Sequence, residues 1–387
     1  MRGSWRISRI MGIDLGVDAS WFIIVFLLIY TLGFVEFPHE LHPRSFIARA
    51  DVVSVTLGIA ACLLLFGSVL AHELSHSWMA IQRGIPVTRI TLFIFGGVAQ
   101  IAKEPDRPAT EFLIAIMGPL MSLALAAVFG AAWLWLRVIE STQFLGVSLT
   151  PLILLSSFLA QVNGQLALFN LAPGFPLDGG RVFRAILWGA SHNLRRATWW
   201  ATRVGQVIAF ILIGIGAWLF LSEFNGGGIW LALVGFFLWN AAGEGYRQTV
   251  LMETLRGVTV SQLMTREVQT VLPDLALAEF VDHYLLPKRE QTFAVCDDDG
   301  FRGTISSENV KRVPSSEWGM RRVRDVMTPR DALGFLSPEE TAATAMARLS
   351  AGDAGELPVL DAGQLTGFIG RAELSRFLRL KSELERV

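Results

Sequence analysis

The sequence is poor in charge and in cysteine. Only 17% of its 387 residues are Asp, Glu, Lys or Arg, while 52% are hydrophobic, and this composition excludes an ordinary soluble globular protein. Cys62 and Cys296 are the two cysteines, too few and too far apart for a disulfide framework. No basic stretch carries interleaved aromatic residues, and the net charge is −1, so nothing indicates nucleic-acid binding. The composition is that of a membrane protein with a soluble part.

Six apolar segments approach or exceed the length of about 20 residues that a helix needs to cross a bilayer. They lie at about 18–35, 52–80, 109–136, 151–172, 202–221 and 229–243. An even number of spans puts both termini on one side of the membrane. Arg and Lys cluster before the first span and after the second and fourth, which predicts that this side is the cytoplasm. No small-residue cleavage site follows the first segment, so we expect a retained helix of a multi-pass protein in the cell membrane.

The second apolar segment ends in HELSH, which places two histidines and a glutamate at the cytoplasmic end of a membrane helix. His72 and His76 are four residues apart, so their rings project from one helix face and can bind one metal ion, with Glu73 beside them. Ionisable groups inside a membrane segment generally have a function. The alternative is that both histidines bond backbone carbonyls in a helix bundle.

A catalytic zinc ion usually has three protein ligands and one open position. The best candidate for the third is Asp178, the one carboxylate in LFNLAPGFPLDGGRVFRA, where two prolines break the helix and Gly179 and Gly180 allow close backbone approach. Asp178 could also cap the helix that starts near Gly179. Glu111 lacks the sequence context of a third ligand, and the set His39, Glu40 and His42 in a proline-flanked loop is expected to be structural or solvated.

The segment TRITLFIFGGVAQI, residues 88–101, predicts a strand, a turn at Gly96 and Gly97, and a second strand. The edge of such a hairpin could bind an unwound substrate by strand addition. A hairpin that merely covers the site is the alternative.

Three motifs resemble the site-2 protease family of intramembrane zinc metalloproteases: HELSH, AIMGPLMSLALA and NLAPGFPLDGGRV. The opening SWRISRIMGIDLGVDASWF is also similar to the start of bacterial members, and the resemblance covers about residues 1–245. It implies one zinc ion bound by His72, His76 and Asp178, with Glu73 as general base. It further implies that Asn170 positions substrate or stabilises the oxyanion, although Asn170 could instead satisfy backbone groups freed by Pro173. Single-span membrane proteins such as anti-sigma factors would be the substrates.

The chain after about residue 246 is charged and contains an internal repeat, with Met264 and Met327 at equivalent positions. We predict a membrane domain at 1–245, a linker at 246–257 and a soluble region at 258–387, with repeats at about 258–313 and 321–380. Each repeat reads as strand, helix, strand, turn, strand, helix. The pattern resembles a tandem pair of cystathionine-β-synthase (CBS) domains.

That second resemblance implies an α/β cytoplasmic module that regulates the attached enzyme, binds ATP or AMP, and forms a homodimer. The residues that would contact the nucleotide are Thr304, Ser306, Asn309 and Glu373. However, Asn309 and Glu373 stand where the CBS family has its ribose-binding aspartate, and Gly370 replaces the usual Ser or Thr. A docking or dimerisation module is the alternative.

The expected fold is thus a polytopic α-helical membrane domain followed by tandem CBS domains, and the expected activity is that of a zinc metalloendopeptidase. A transporter or channel gated by the tail is a second hypothesis, but it predicts polar residues spread over several spans, whereas here they cluster at one place. An inactive membrane scaffold is a third, and the complete set of His72, Glu73, His76 and Asp178 argues against it.

Overall fold

The computed structural model describes residues 5–41, 51–94, 96–101, 105–142, 148–223, 226–287, 292–298, 300–351 and 355–384. The chain divides into two compact units, Met1–Arg247 and Gln248–Val387.

Helices dominate the first unit. Six helical segments of the described ranges are long and apolar enough to cross a membrane, so the predicted polytopic α-helical domain is confirmed. The first combines α1, a π-helical segment and α2; the others are α3, α4, α5, α7 and α8, with the shorter α6 between α5 and α7. The bounds are α1 Ala19–Tyr30, α2 Phe37–Leu41, α3 Val52–Gln82, α4 Pro108–Ser141, α5 Thr150–Asn170, α6 Asp178–Ser191, α7 Leu194–Glu223 and α8 Gly226–Arg256.

Helix α8 continues through almost all of the predicted linker at 246–257. The change from apolar to charged composition marks the end of the membrane-compatible stretch, but it does not stop the helix. The residues of YRQTVLMETLR all tolerate helical backbone, and the next glycine is Gly257. The linker is therefore helical up to Arg256.

A four-stranded sheet has the order β1-β2-β3-β4. Its strands are β1 Trp5–Ile10, β2 Ile13–Val17, β3 Val87–Phe93 and β4 Gly96–Ile101, with β2 and β3 parallel and the other pairs antiparallel. The predicted hairpin is present, but the prediction of a turn at Gly96 and Gly97 is wrong. Phe93 pairs with Gly96 and Leu92 with Gly97, so both glycines open β4. In this pairing register β4 begins at Gly96, so both glycines belong to the strand.

Small residues allow the membrane helices to approach closely, as is usual where lipid removes the hydrophobic drive for association. A Cβ atom on Gly58 of α3 would lie 2.7 Å from the backbone of Gly33. Between α7 and α8, a Cβ on Gly216 would lie 2.6 Å from the backbone of Ala232. Helix α3 packs against both α4 and α5, which surrounds the HELSH motif with neighbouring helices.

The second unit contains the two repeats. The first comprises α9 Val260–Leu263, β5 Thr270–Val271, α10 Leu277–Phe280, β6 Thr292–Asp297, β7 Gly300–Ser306 and α11 Ser307–Lys311. The second comprises α12 Val323–Val326, β8 Thr328–Pro329, α13 Ala342–Ala351, β9 Glu356–Asp361, β10 Gln364–Gly370 and α14 Arg371–Leu384. This α/β organisation agrees with the expected fold class.

The two repeats exchange their first segments. Thr265, at the start of the first repeat, makes two backbone hydrogen bonds with Phe368 of β10, at 2.8 and 3.0 Å. Correspondingly, Thr328 at the start of the second repeat pairs with Thr304 of β7. Val260 lies in the core of the second repeat rather than the first. Each repeat therefore completes the other.

Candidate metal centre

Helix α3 places His72, Glu73 and His76. Its N-terminus is fixed by a capping box, in which the Asp51 carboxylate accepts from the Ser54 amide at 2.7 Å and the Ser54 hydroxyl accepts from the Asp51 amide. From there an uncharged apolar run continues to the motif. The two histidines are buried, with 4% and 6% of their surfaces exposed, and their ring centroids are 4.9 Å apart. The helix therefore presents both rings to the same interior space.

A glycine-rich turn brings Asp178 to that space. Helix α5 ends at Asn170, and α6 begins at Asp178. The turn between them docks on α7, where the Phe175 amide donates to the Ala201 carbonyl at 3.1 Å. A Cβ on Gly179 would lie 2.2 Å from the Leu171 carbonyl oxygen, so no larger residue fits there without a backbone shift. Asp178 is the first residue of α6 rather than its cap, and its side chain is free to reach the histidines.

Three ligand atoms converge. Asp178 Oδ2 lies 3.1 Å from His72 Nε2 and 3.1 Å from His76 Nε2, and the two Nε2 atoms are 3.2 Å apart. Zinc–nitrogen bonds of about 2.0–2.1 Å at tetrahedral angles put two ligand atoms about 3.3 Å apart. Within the described residues this is the one group of three His, Cys, Asp or Glu side chains that could hold a metal ion. The spacing fits zinc.

The outer nitrogen atoms of both rings are already engaged. His76 Nδ1 is 2.7 Å from the Ile114 carbonyl oxygen, which can only accept, so Nδ1 carries the proton and Nε2 of the neutral ring presents a lone pair. His72 Nδ1 is 2.9 Å from the Ser122 hydroxyl. With His76 Nδ1 protonated, and with His72 in the tautomer that donates from Nδ1 to the Ser122 hydroxyl, two nitrogen lone pairs and a carboxylate oxygen face one another. Such a set is suited to bind a metal cation.

Gly118 of α4 clears the space between the histidines. A Cβ at this position would lie 2.1 Å from His76 Nε2 and 2.5 Å from His72 Nε2. Gly118 and Ser122 both belong to AIMGPLMSLALA, but the sequence alone does not predict either as a site residue. The local features that could have indicated these two residues are a Gly-Pro pair and a serine inside an apolar helix. Their role depends on a contact between α3 and α4 that no local pattern specifies.

Strand β4 lies beside Glu73. A Cβ on Gly97 would be 2.5 Å from Glu73 Cγ, so the absence of a side chain lets the strand backbone approach the carboxylate. Gly96 has φ of +130°, a conformation that favours glycine. In the described part of the sheet, β4 pairs only with β3, and its other edge is unpaired.

Asn170 is the last residue of α5 and is half-buried at the start of the turn that leads to Asp178. It is not among the three converging ligands. His39 and Glu40 lie in α2 and are also outside that group, while His42 is outside the described residues. Glu111 is buried with 1% of its surface exposed, and its Oε1 accepts a hydrogen bond from Arg184 Nε at 2.6 Å. It therefore has an ion-pair partner and is not a ligand in this arrangement.

Three of the four tail residues predicted to contact a nucleotide, Ser306, Asn309 and Glu373, are engaged at helix N-termini. Asn309 Oδ1 accepts from the Ser306 amide at 3.0 Å and the Ser306 hydroxyl at 2.7 Å. Its Nδ2 donates to the Val326 carbonyl and the Thr328 hydroxyl, both at 3.1 Å. The whole amide group of Asn309 is thus satisfied within the protein.

Glu373 occupies the equivalent place in the second repeat. Its Oε2 accepts from the Gly370 amide at 3.0 Å, which closes the start of α14. Thr304 is buried in β7, and Ser306 caps α11. Asn309 and Glu373 therefore both fold back on the first turn of their own helices.

The chain is similar to known families and proteins. The profile described as peptidase family M50 matches residues 60–148 and 138–212, and the CBS domain profile matches 323–380. Rip3 of Mycobacterium tuberculosis, which is named as a zinc metalloprotease, is 32% identical over 382 residues, covering 98% of this chain and 93% of that protein. The similarly named sll0528 of Synechocystis is 31% identical over 382 residues and covers 98% and 96%.

Among solved structures, the site-2 protease from Methanocaldococcus jannaschii is 29% identical with a TM-score of 0.40, covering 62% of this chain and 94% of that one. The full-length match to Rip3 settles the family. The chain belongs to peptidase family M50, the site-2 protease family of intramembrane zinc metalloproteases, and carries a CBS domain in its tail.

Proposed function

We propose that this protein hydrolyses peptide bonds within or near transmembrane segments of membrane-tethered regulatory proteins, with one zinc ion held by His72, His76 and Asp178. The observation that carries the proposal is the convergence of three acceptor atoms at 3.1–3.2 Å inside a bundle of helices long enough to cross a membrane. Polar atoms gathered in the interior of the bundle do not contribute to packing against lipid. Their arrangement suits a metal ion that acts on a buried peptide bond.

Each residue has a separate task in this reaction. When bound, zinc would polarise the scissile carbonyl and lower the pKa of a water molecule. Glu73, next to His72 and one turn before His76, would take the proton from the attacking water and pass it to the leaving amine. Asn170, whose amide can donate two hydrogen bonds, would help to hold the negative charge that develops on the carbonyl oxygen.

The substrate must be extended at the site, because a helix engages its own carbonyls in hydrogen bonds. The unpaired edge of β4 offers backbone donors and acceptors to such a chain. Gly97 brings this strand against Glu73, so a chain paired with β4 would pass close to the general base. We therefore assign Gly96 and Gly97 to substrate binding, in preference to a covering hairpin.

The direction of the chain in the membrane follows from its charges. Arg and Lys lie mainly on the side of the termini, which supports cytoplasmic termini and a site open to the cytoplasmic half of the bilayer. Single-span proteins such as anti-sigma factors fit this site, since one helix can unwind locally without disrupting a larger bundle.

The sharpest test is hydrolysis by the full chain in liposomes that contain a labelled single-span substrate. Loss of a general base costs about 10²–10⁴-fold in rate, so Glu73→Gln should reduce cleavage by that factor while zinc content stays unchanged. Mass spectrometry of the products should place the cut within or next to the span. Equal activity of Glu73→Gln and wild type, or cuts only in remote soluble segments, would contradict the proposal.

The tail would modulate this activity. Of the four residues that the sequence singles out, Asn309 has no free polar atom, whereas Glu373 uses only Oε2 in its cap and could offer Oε1 to a ribose hydroxyl. ATP and AMP should be titrated against the full chain, with binding and cleavage followed together. Binding that changes the cleavage rate supports a nucleotide-regulated tail; no binding favours substrate docking or a homodimer formed through the CBS pair.

A further inference from the structure

We infer that the buried ion pair between Glu111 and Arg184 is a positioning device that holds Asp178 at the metal centre. This inference rests on the proposed zinc site and adds two residues that act on it from outside the ligand set. Glu111 has 1% and Arg184 7% of its surface exposed, so both charges lie away from solvent.

One face of α4 supports every part of the centre. Ser122 contacts the outer nitrogen of His72, Gly118 lies against both Nε2 atoms, and the Ile114 carbonyl accepts from His76. Glu111 lies on the same face, about one helical turn before Ile114 in the chain. The face of α4 that orients the two histidines of α3 thus also carries the Glu111 carboxylate, which binds Arg184 of α6.

Arg184 connects this face to the third ligand. It lies on α6, less than two turns after Asp178, and its Nε donates to Glu111 Oε1 at 2.6 Å while one terminal nitrogen contacts the same oxygen. Its guanidinium also lies over the Phe175 ring, 4.9 Å from the centroid. Arg184 therefore fixes α6 and the turn before it to α4, and Asp178 sits where these two segments meet.

A buried ion pair is a poor device for stability alone. Desolvation cancels much of the attraction, and well-packed apolar residues of similar volume often serve as well. The directional contacts of a guanidinium instead fix one orientation. Here that orientation sets the direction of α6, whose first residue must bring Oδ2 within 3.1 Å of two nitrogen atoms.

The test measures zinc affinity of the full chain in detergent by competition with a chelator. Arg184→Met should weaken zinc binding by about 10–100-fold, the usual cost of removing a group that orients a metal ligand. Because one unpaired buried charge can also unfold the protein, the double variant Glu111→Leu with Arg184→Met removes both charges. It should recover the wild-type melting temperature but retain zinc binding at least about 10-fold weaker.

Arg137→Met is the matched control, since Arg137 lies over Trp133 at the far end of α4. It should bind zinc as tightly as wild type. Wild-type affinity in either the Arg184→Met variant or the stable double variant would overturn the inference while the zinc site stands. Absence of zinc from folded wild-type protein would instead overturn the proposed function, and the inference with it.

Discussion

The metal centre and the helix caps of the tail both contain buried or half-buried polar side chains, but these side chains differ in how their polar atoms are partnered. At the metal centre, two imidazole nitrogens and a carboxylate oxygen converge to within 3.1–3.2 Å of one another. In the tail, Asn309 satisfies every donor and acceptor of its amide within the protein. The metal-binding motif is complete in the sequence, whereas Asn309 and Glu373 already depart from the CBS pattern. The hydrogen bonds sharpen the contrast, because the three converging atoms at the metal centre suit a shared cation, whereas the Asn309 amide already has a protein partner for each donor and for its oxygen.

The substitution expected to have the largest effect on zinc binding, and so to test this comparison most strongly, is at Gly118. In Gly118→Ala the new methyl group would fill the space between His72 Nε2 and His76 Nε2. The rings can swing aside without unfolding the helix, but they then no longer share one ion. We expect essentially complete loss of zinc from folded, purified protein, measured by elemental analysis.

The matched control is Gly130→Ala in the same helix, where the nearest atom to a new Cβ is 3.9 Å away. This variant should keep its zinc. If Gly118→Ala also kept a full complement, the convergence of the ligand atoms would not mark the metal position.

Ser122→Ala tests the outer partner of His72. Without the hydroxyl 2.9 Å from Nδ1, the ring loses the contact that favours a free Nε2, and zinc affinity should fall by about 10–100-fold. Competition with a chelator measures this change. Ser156→Ala is the control, because that buried hydroxyl bonds only carbonyls of its own helix. Equal losses in the two variants would indicate a general packing effect rather than an effect on the ligand.

The smallest effect is expected in the tail. Asn309→Ala removes a helix-capping group and should destabilise the first repeat by about 1 kcal/mol, with no change in zinc content. Hydrogen exchange of residues 300–311 in the full chain measures this locally. If exchange were unchanged and nucleotide binding were lost, the amide would be a ligand-binding group and the contrast with the metal centre would break down.

Much of the fold follows from the sequence because its signals are local. A bilayer core demands long uninterrupted apolar runs, and all six predicted spans are present. The prediction of a turn at Gly96 and Gly97 is wrong, since both glycines open β4. Gly97 allows β4 to approach Glu73 of α3, and the sequence pattern of a strand does not predict a contact with another element.

The remaining features required the tertiary structure. The spacing of His72 and His76 indicates a metal site, and Asp178 follows from the family resemblance together with the broken backbone around it. Glu111 was set aside as a ligand on its sequence context, but its partner Arg184 lies 73 residues away in the chain. Ser122 and Gly118 act on the histidines across the contact between α3 and α4, which hydropathy patterns cannot specify.

The central claim is that His72, His76 and Asp178 together bind a metal ion. The most direct measurement is the zinc content of detergent-purified full-length protein, wild type beside Asp178→Ala. Three ligands reduced to two should leave an exchangeable site, so we expect one zinc ion per wild-type chain and little or none in a folded variant. No zinc in folded wild type, or equal zinc in both proteins, would contradict the account.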